Sequence, residues 1–328
     1  MKHHNIAVVG IGATGTVLAA AILGKYPQTV LVGRNPGAGA IFLSKGIRVS
    51  GVISFQAPVN NYIFNIEKLK NFNPNLIFLA TKTFHLDRIL KLLEGVYRPG
   101  IKIISTQNGL GTEDLIASKF GKDSVLRMSL NYGVSLKAPG EAETAFFNPP
   151  NHIGALIPEN NGLAMEVATM LTEGGLVTEF VDDIKFYVWK KMIMKCTMAS
   201  ICAVTDKTIK DALEFPPTRE IADACFQEAL AVAKAMGYDF GQDYLIQALG
   251  YLAKVGVHRD SMCFDIDNKA PTEIDYLGAK IVEYARQKGI ATPFYVAMTN
   301  MVKGIEDNYL NSEVGMRKSE KGQKTDDG

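Results

Sequence analysis

The segment Asn5–Gly15 constrains this 328-residue chain most, and it reads N-I-A-V-V-G-I-G-A-T-G. Residues 6–9 are an apolar run without a polar break, which is typical of a strand buried on both faces. Three glycines follow in the spacing G-x-G-x-x-G, and the alanine- and leucine-rich stretch 16–23 favours a helix. Strand, glycine turn and helix occur in the order of a dinucleotide-binding unit. The sequence therefore predicts an α/β protein with an N-terminal Rossmann-type doubly wound sheet.

Each glycine of this turn has a separate task. Gly10 permits the tight turn, Gly12 lets the backbone approach a pyrophosphate, and Gly15 lets the helix pack close to the strand. The first N–H groups of the helix carry partial positive charge and face the phosphates. We therefore predict cofactor contacts by Gly10, Gly12, Ala13, Thr14 and Gly15.

Charge and cysteine content exclude several classes of partner. Lys and Arg number 35 against 34 Asp and Glu, a net charge of +1, so neither nucleic acid nor an anionic membrane is expected as a partner. No apolar run approaches the ~20 residues that span a bilayer, and the first strand begins too early to leave room for a signal peptide. The four cysteines show no C-x-x-C spacing, so we expect buried thiols, no metal site and a reducing, cytoplasmic setting.

Arg34 follows the second predicted strand, 29–32, at the point where NAD-binding sites carry an acidic residue for the ribose. Here there is no acid, and a guanidinium can form paired, charge-assisted hydrogen bonds with a 2′-phosphate. We therefore predict NADP(H) as the cofactor. The alternative is that Arg34 is a solvated loop arginine.

Two further candidates lie at the carboxyl ends of predicted strands, where open α/β sheets bind their ligands. Lys82 follows strand 76–80, and Asn108 follows strand 101–105 within T-Q-N-G-L-G. The alternatives are an exposed loop lysine and a simple Asn-Gly turn. The sequence also predicts a helix over 85–93, a hairpin over 46–55, and antiparallel strands that extend the sheet over 125–130, 133–137, 144–148 and 152–157.

The second half of the chain reads as helical. After V-D-D at 181–183 we place the boundary between an NADP-binding domain, 1–182, and a helical substrate domain, 183–310. The segment 311–328 is polar and is predicted to be a disordered tail. The predicted helices are 184–204, 217–236, 242–255, 272–288 and 294–308.

Three residues of this half are candidates for chemistry. Lys191 lies in F-Y-V-W-K-K-M, on an apolar helix, where a lysine either snorkels to solvent or acts as a functional cation. Glu273, in P-T-E-I-D-Y, could act in the site or simply favour the dipole of the predicted helix that begins there. Ser261 precedes it in a predicted loop.

In their order and spacing these motifs resemble the ketopantoate reductases (2-dehydropantoate 2-reductases), over nearly the whole chain. The resemblance implies a Rossmann domain followed by an all-helical domain, with the site in the cleft. It also implies NADPH-dependent reduction of a 2-keto acid to a 2-hydroxy acid, in pantothenate and coenzyme A biosynthesis. In that family the lysine matching Lys191 is the general acid, and we place Glu273 with it in the catalytic set. Ser261 and Asn108 then bind substrate, and Lys82 and Asn108 lie at the junction of cofactor and substrate.

The chain departs from the family pattern at two positions, because Lys195 and Ala199 replace asparagines that help to bind substrate. Both share a helix face with Lys191, since residues four apart stack. We expect Lys195 to face the cleft, where it would lower the pKa of Lys191 and favour a substrate with a second carboxylate; facing solvent, it would do neither. A related opine or hydroxy-acid dehydrogenase and a non-catalytic NADPH-binding redox sensor are the alternatives. The expected partner is a small 2-keto acid, and a homodimer is left open.

Overall fold

The computed structural model describes residues 4–255 and 257–322. The chain forms two compact units, Met1–Val188 and Trp189–Gly328. The first is an α/β unit built on a largely parallel sheet and the second is helical, which confirms the predicted fold class. The division falls inside the long helix that begins at Ile184, shortly after the boundary expected from the sequence. No helix of the described part of the chain is long and apolar enough to cross a membrane.

The elements occur in the following order. The strands are β1 (Ile6–Val9), β2 (Val30–Val32), β3 (Ile47–Gly51), β4 (Phe55–Ala57), β5 (Asn61–Ile63), β6 (Leu76–Leu79), β7 (Lys102–Ser105), β8 (Val125–Ser129), β9 (Tyr132–Ala138), β10 (Glu141–Phe147), β11 (Asn151–Ala155) and β12 (Thr178–Phe180). The helices are α1 (Ala13–Leu23), α2 (Pro36–Lys45), α3 (Leu86–Glu94), α4 (Thr112–Phe120), α5 (Asn161–Glu173), α6 (Ile184–Thr205), α7 (Ile209–Glu214), α8 (Pro216–Ala235), α9 (Tyr244–Val255), α10 (Ser261–Asp267), α11 (Gly278–Lys288) and α12 (Pro293–Gly322).

The main sheet has the strand order β12-β11-β8-β7-β6-β1-β2-β5. Its neighbours pair in parallel except for β11, which runs antiparallel to β8. From the central strand β1 the chain moves outward to β2 and later returns to the other side at β6. The strand order therefore reverses between β1 and β6, and the crevice at their carboxyl ends is where such sheets bind ligands.

The second sheet corrects a prediction. Its order is β4-β3-β10-β9, so the expected hairpin over 46–55 is confirmed, but β9 and β10 join that hairpin instead of extending the main sheet. β8 does lie in the main sheet, but it pairs in parallel with β7. Of the four predicted segments, β11 alone extends the main sheet as an antiparallel strand, paired with β8. Periodicity shows which face of a strand is buried, but it does not identify the partner strand.

Helix α1 forms the centre of the first unit. It packs on β1 of the main sheet and also on β3, β4, β9 and β10 of the small sheet. Every residue from Gly15 to Leu23 is therefore buried, which explains why this helix is apolar on all sides.

The helical unit differs from the sequence expectation at two ends. Helix α11 begins at Gly278 rather than 272, because Thr272 Oγ1 accepts a hydrogen bond from the N–H of Ile274 (3.2 Å) and starts a 3₁₀ turn instead. Helix α12 continues to Gly322, so the expected disordered tail is helical over 311–322; this stretch is rich in the helix formers Glu, Lys, Met and Arg. Residues 323–328 lie outside the described residues.

Candidate active site

The glycine turn between β1 and α1 has one open position. Gly10 has φ +96°, and a Cβ there would lie 2.7 Å from the backbone nitrogen of Thr81. A Cβ at Gly15 would lie 2.0 Å from the carbonyl oxygen of Gly10. A Cβ at Gly12 would meet nothing within 4 Å. The protein's own packing therefore requires glycine at 10 and 15, whereas Gly12 borders space that a ligand can occupy.

The N-terminus of α1 suits an anion. Gly12 is its N-cap residue, it supplies no capping side chain, and the first turn contains no acidic residue. The first N–H groups of a helix lack partners inside the helix and carry partial positive charge. Because no carboxylate competes for these groups in the first turn, the site fits a dinucleotide pyrophosphate.

Two polar side chains at the adjoining strand ends support the same location. Thr81 Oγ1, just beyond β6, and Gln107 Nε2, just beyond β7, are buried atoms without a hydrogen-bond partner among the described residues. An unsatisfied buried polar group costs about 1–3 kcal/mol, so its presence calls for a functional reason. Lys82 directly follows Thr81 and is half-buried, as the N-cap residue of the 3₁₀ turn Thr83–His85. These groups fit a cofactor laid across the carboxyl ends of β1, β6 and β7.

The loop that carries Arg34 is fixed by its neighbours, while the side chain of Arg34 is exposed. Tyr62 donates a hydrogen bond from its hydroxyl to the carbonyl oxygen of Asn35 (3.1 Å), and a Cβ at Gly33 would lie 2.0 Å from that hydroxyl. Burial raises the pKa of Tyr62, so the phenol remains a donor. Arg34 donates from Nη1 to His85 Nε2 (3.2 Å). His85 was not among the site residues predicted from the sequence.

The turn that carries Asn108 rests on a buried cation that was also not among the predicted site residues. Arg127 on β8 is 1% exposed, and its guanidinium donates to the carbonyl oxygens of Gly109 (3.0 Å) and Ser105 (3.1 Å). Its Nε lies 3.1 Å from the carboxylate of buried Glu113. Burial lowers the pKa of Arg127, and Glu113 opposes that shift. An arginine inside the apolar run V-L-R-M-S was the available signal.

Helix α6 positions the two candidate lysines of the second unit. Trp189 is buried and stacks on Tyr238 (ring centroids 5.8 Å apart), and the Tyr244 hydroxyl donates to the carbonyl oxygen of Lys190. These contacts fix the helix beside Lys191, which is half-buried. Lys191 and Lys195 share one face of α6 because they are four residues apart.

Lys195 forms an ion pair that the sequence did not predict. Its Nζ donates to both carboxylate oxygens of Asp260 (2.6 and 2.8 Å) and to Ser261 Oγ (2.9 Å). The Lys195 and Asp260 side chains are 16% and 6% exposed. Asp260 also accepts from the N–H of Met262 (2.9 Å) and is the N-cap residue of α10. The loop predicted at Ser261 was therefore wrong: Ser261 is the first residue of a helix, since Asp is a preferred N-cap.

The remaining candidates are Ala199 and Glu273. Ala199 is fully buried, so the second position where the family carries asparagine holds no polar group. Glu273 is 7% exposed and precedes the 3₁₀ turn Ile274–Tyr276 rather than lying in the first turn of α11. Glu273 therefore does not lie in the first turn of a long helix, where it could act only by favouring the helix dipole.

Family models match both units of the chain. The model described as ketopantoate reductase PanE/ApbA matches residues 6–156, and the model of the C-terminal part of the same family matches residues 183–306. The 2-dehydropantoate 2-reductase of Archaeoglobus fulgidus is 26% identical over 306 residues, which cover 93% of this chain and 99% of that protein. That of Pyrococcus abyssi is also 26% identical, over 92% of this chain and 97% of that protein.

Solved structures agree with the fold. A 2-dehydropantoate 2-reductase from Geobacter metallireducens has a TM-score of 0.83 at 23% identity and covers 91% of this chain and 99% of its own. A D-mandelate dehydrogenase in complex with NADH and anilino(oxo)acetate has a TM-score of 0.82 at 22% identity, over 93% of this chain and 98% of its own. With both family models matched in chain order, and with the glycine turn, strand-end groups and α6 lysine in place, this chain belongs to the ketopantoate reductase family.

Proposed function

We propose that this protein reduces a 2-keto acid to the 2-hydroxy acid with NADPH, and that 2-dehydropantoate is the first substrate to test. The observation that carries the proposal is the open glycine turn at the uncapped N-terminus of α1, in a chain of this oxidoreductase family. Exposed Arg34, on a fixed loop after β2, supports a cofactor with a 2′-phosphate.

Each residue has a definable task in this reaction. A bound nicotinamide cofactor would supply the hydride for the keto carbon. The turn at Gly12 would hold its pyrophosphate, and Arg34 would hold its 2′-phosphate. Lys191 donates a proton from Nζ to the keto oxygen as negative charge develops there. Glu273 holds the Lys191 ammonium or a substrate hydroxyl, and Asn108 and Lys82 orient the reacting groups.

The hydrogen bonds of Lys195 narrow the class of substrate. A lysine ammonium has three N–H donors, and Asp260 and Ser261 accept all three. Its charge is neutralised by Asp260, which argues against Lys195 as the receptor of a second substrate carboxylate. Because Ser261 Oγ accepts from Lys195, its own proton can be donated to a substrate. We therefore propose a 2-keto acid with a single carboxylate.

The test is NADPH oxidation with a panel of 2-keto acids, in which mono- and dicarboxylates of similar size are paired and ketopantoate is included. Turnover of monocarboxylates with weaker turnover of their dicarboxylate partners supports both parts of the proposal. Tight NADPH binding without turnover of any member would identify a sensor instead. A thiol-based sensor is already disfavoured, because burial raises the pKa of Cys263 to about 11 and of Cys225 to about 12. Cytoplasmic location, homodimer formation and the domain limits taken from the sequence stay predictions.

A further inference from the structure

His85 lies at the candidate 2′-phosphate site and has no role in the function proposed above. It ends the 3₁₀ turn after β6, where its backbone N–H donates to the carbonyl oxygen of Lys82 (3.1 Å). The ring of Phe84 contacts its imidazole edge-on, with centroids 4.4 Å apart. Arg34, from the loop after β2, reaches its Nε2 at 3.2 Å. Two strand ends thus bring a guanidinium and an imidazole together where the cofactor phosphate is expected.

This contact defines the protonation state of His85 without ligand. An arginine is always protonated and can only donate, so Nε2 of His85 must be the acceptor and must carry no hydrogen. Burial lowers the pKa of His85, and the positive charges of Arg34 and Arg88 lower it further. Other charged residues lie beside the turn of His85, on α3, or on the elements packed against α3. They are Lys82 directly before the turn, Asp87, Lys91 and Glu94 of α3, Glu67, Lys68 and Lys70 of the 3₁₀ turn Ile66–Phe72, and Glu113, Asp114 and Lys119 of α4.

We propose that His85 is a second ligand of the 2′-phosphate and that it takes up a proton when NADPH binds. This inference rests on the proposed function only in its choice of NADPH. A phosphate dianion between Arg34 and His85 attracts both groups, so the guanidinium turns from Nε2 to the phosphate oxygens. Protonated Nε2 then becomes a donor to the same phosphate, in a charge-assisted hydrogen bond. The imidazole that accepts from Arg34 without ligand therefore donates to the ligand in the complex.

The sign of the pH effect follows from this exchange. The pKa of His85 is lowered in the free protein and raised in the complex, so NADPH binding takes up a proton and grows tighter as the pH falls between the two pKa values. An opposite charge commonly moves a pKa by about one unit, a factor of about ten in affinity between the limits. Between pH 8.0 and pH 6.5 only part of this tenfold change is expected, so the NADPH Kd should decrease about threefold. The phosphate itself has a second pKa of about 6, and its proton release on binding acts in the opposite direction.

Isothermal titration calorimetry at pH 7.0 measures the proton directly, in two buffers of different ionisation enthalpy and without phosphate. For the unmodified protein we expect uptake of a fraction of a proton with NADPH and none with NADH, which lacks the 2′-phosphate. His85→Gln should abolish the uptake, leaving zero or slight release, and NADPH binding should no longer grow tighter as the pH falls. His258→Gln is the matched control, because burial also lowers the pKa of His258 but that residue lies in the second unit.

The outcomes separate this inference from the proposed function. Tight NADPH binding with equal proton uptake in the unmodified protein and His85→Gln would overturn the role of His85 and leave NADPH dependence intact. Equal uptake with NADPH and NADH would overturn it as well, since the proton would then not follow the 2′-phosphate. NADPH binding no tighter than NADH binding would instead refute the cofactor assignment. If His85→Gln unfolds, the imidazole proton resonances of His85 in the unmodified protein still report its pKa with and without NADPH, and an unchanged pKa refutes the inference.

Discussion

Gly15→Ala should mainly lower the stability of the fold, whereas Gly12→Ala should mainly weaken cofactor binding. At Gly15 the added Cβ would lie 2.0 Å from the carbonyl oxygen of Gly10, more than 1 Å inside an ordinary contact. The oxygen is a backbone atom and the Cβ is held rigidly by the backbone of α1, so β1 and α1 must separate, and we expect a loss of about 3 kcal/mol in the free energy of unfolding. At Gly12 the Cβ meets nothing within 4 Å and φ is −88°, so we expect a loss of about 1 kcal/mol or less, as for an altered N-cap.

Gly12→Ala should weaken NADPH binding although it leaves the fold nearly as stable as that of the unmodified protein. If Gly12 borders the pyrophosphate, a methyl group there obstructs the close approach of the backbone, and the NADPH Kd should rise at least about tenfold, or ~1.4 kcal/mol. Urea unfolding measures the stability of both variants, and NADPH fluorescence titration measures the affinity. A folded Gly12→Ala protein that binds NADPH as tightly as the unmodified protein would refute the placement of the pyrophosphate at this turn.

The remaining predictions concern side chains. Arg34→Ala should weaken NADPH binding about tenfold and leave NADH binding unchanged in titrations of both cofactors, because an exposed charge contact contributes about 1–2 kcal/mol; equal losses for both would contradict the 2′-phosphate role. Lys191→Ala should lower kcat by a factor of ~10²–10⁴ with NADPH binding retained. Lys190→Ala, at the exposed neighbouring position, is the control and should leave kcat unchanged. A loss of less than about tenfold in Lys191→Ala would mean that another group supplies the proton. Lys195→Met should cost about 3 kcal/mol of stability, because Asp260 is left buried and without its cation. The double variant with Asp260→Asn should recover most of this loss, because asparagine removes the unpaired charge and keeps an N-cap acceptor for Met262; strictly additive losses in urea unfolding would contradict the ion pair.

Local patterns were sufficient to predict the elements that build the nucleotide half. The apolar run 6–9, the glycine spacing and the helix after it depend on neighbouring residues alone, and the structure places each where it was expected. The 46–55 hairpin was predictable for the same reason, since its strands pair across a short connection. The pairing of β10 with β3 was not, because about ninety residues separate them and either strand could satisfy its pattern in another sheet.

The side-chain contacts of the candidate site show the same limit. The partner of Lys195 is Asp260, 65 residues away, and the helical spacing that related Lys195 to Lys191 carries no information about it. The contact of His85 with Arg34 could not be predicted for the same reason, because it joins two segments that follow different strands. Arg127 lies in an apolar strand, and only the folded structure shows which carbonyl oxygens accept its hydrogen bonds.

The most direct test of the central claim is the stoichiometry of ketopantoate reduction by the purified protein. NADPH consumption is followed by absorbance and pantoate formation by mass spectrometry in the same reaction, for the unmodified protein, Lys191→Ala and Lys190→Ala. We expect one pantoate formed for each NADPH consumed, with activity retained in Lys190→Ala and nearly abolished in Lys191→Ala. Failure to oxidise NADPH with ketopantoate or any other 2-keto acid, in protein that binds NADPH tightly, would contradict the proposed function.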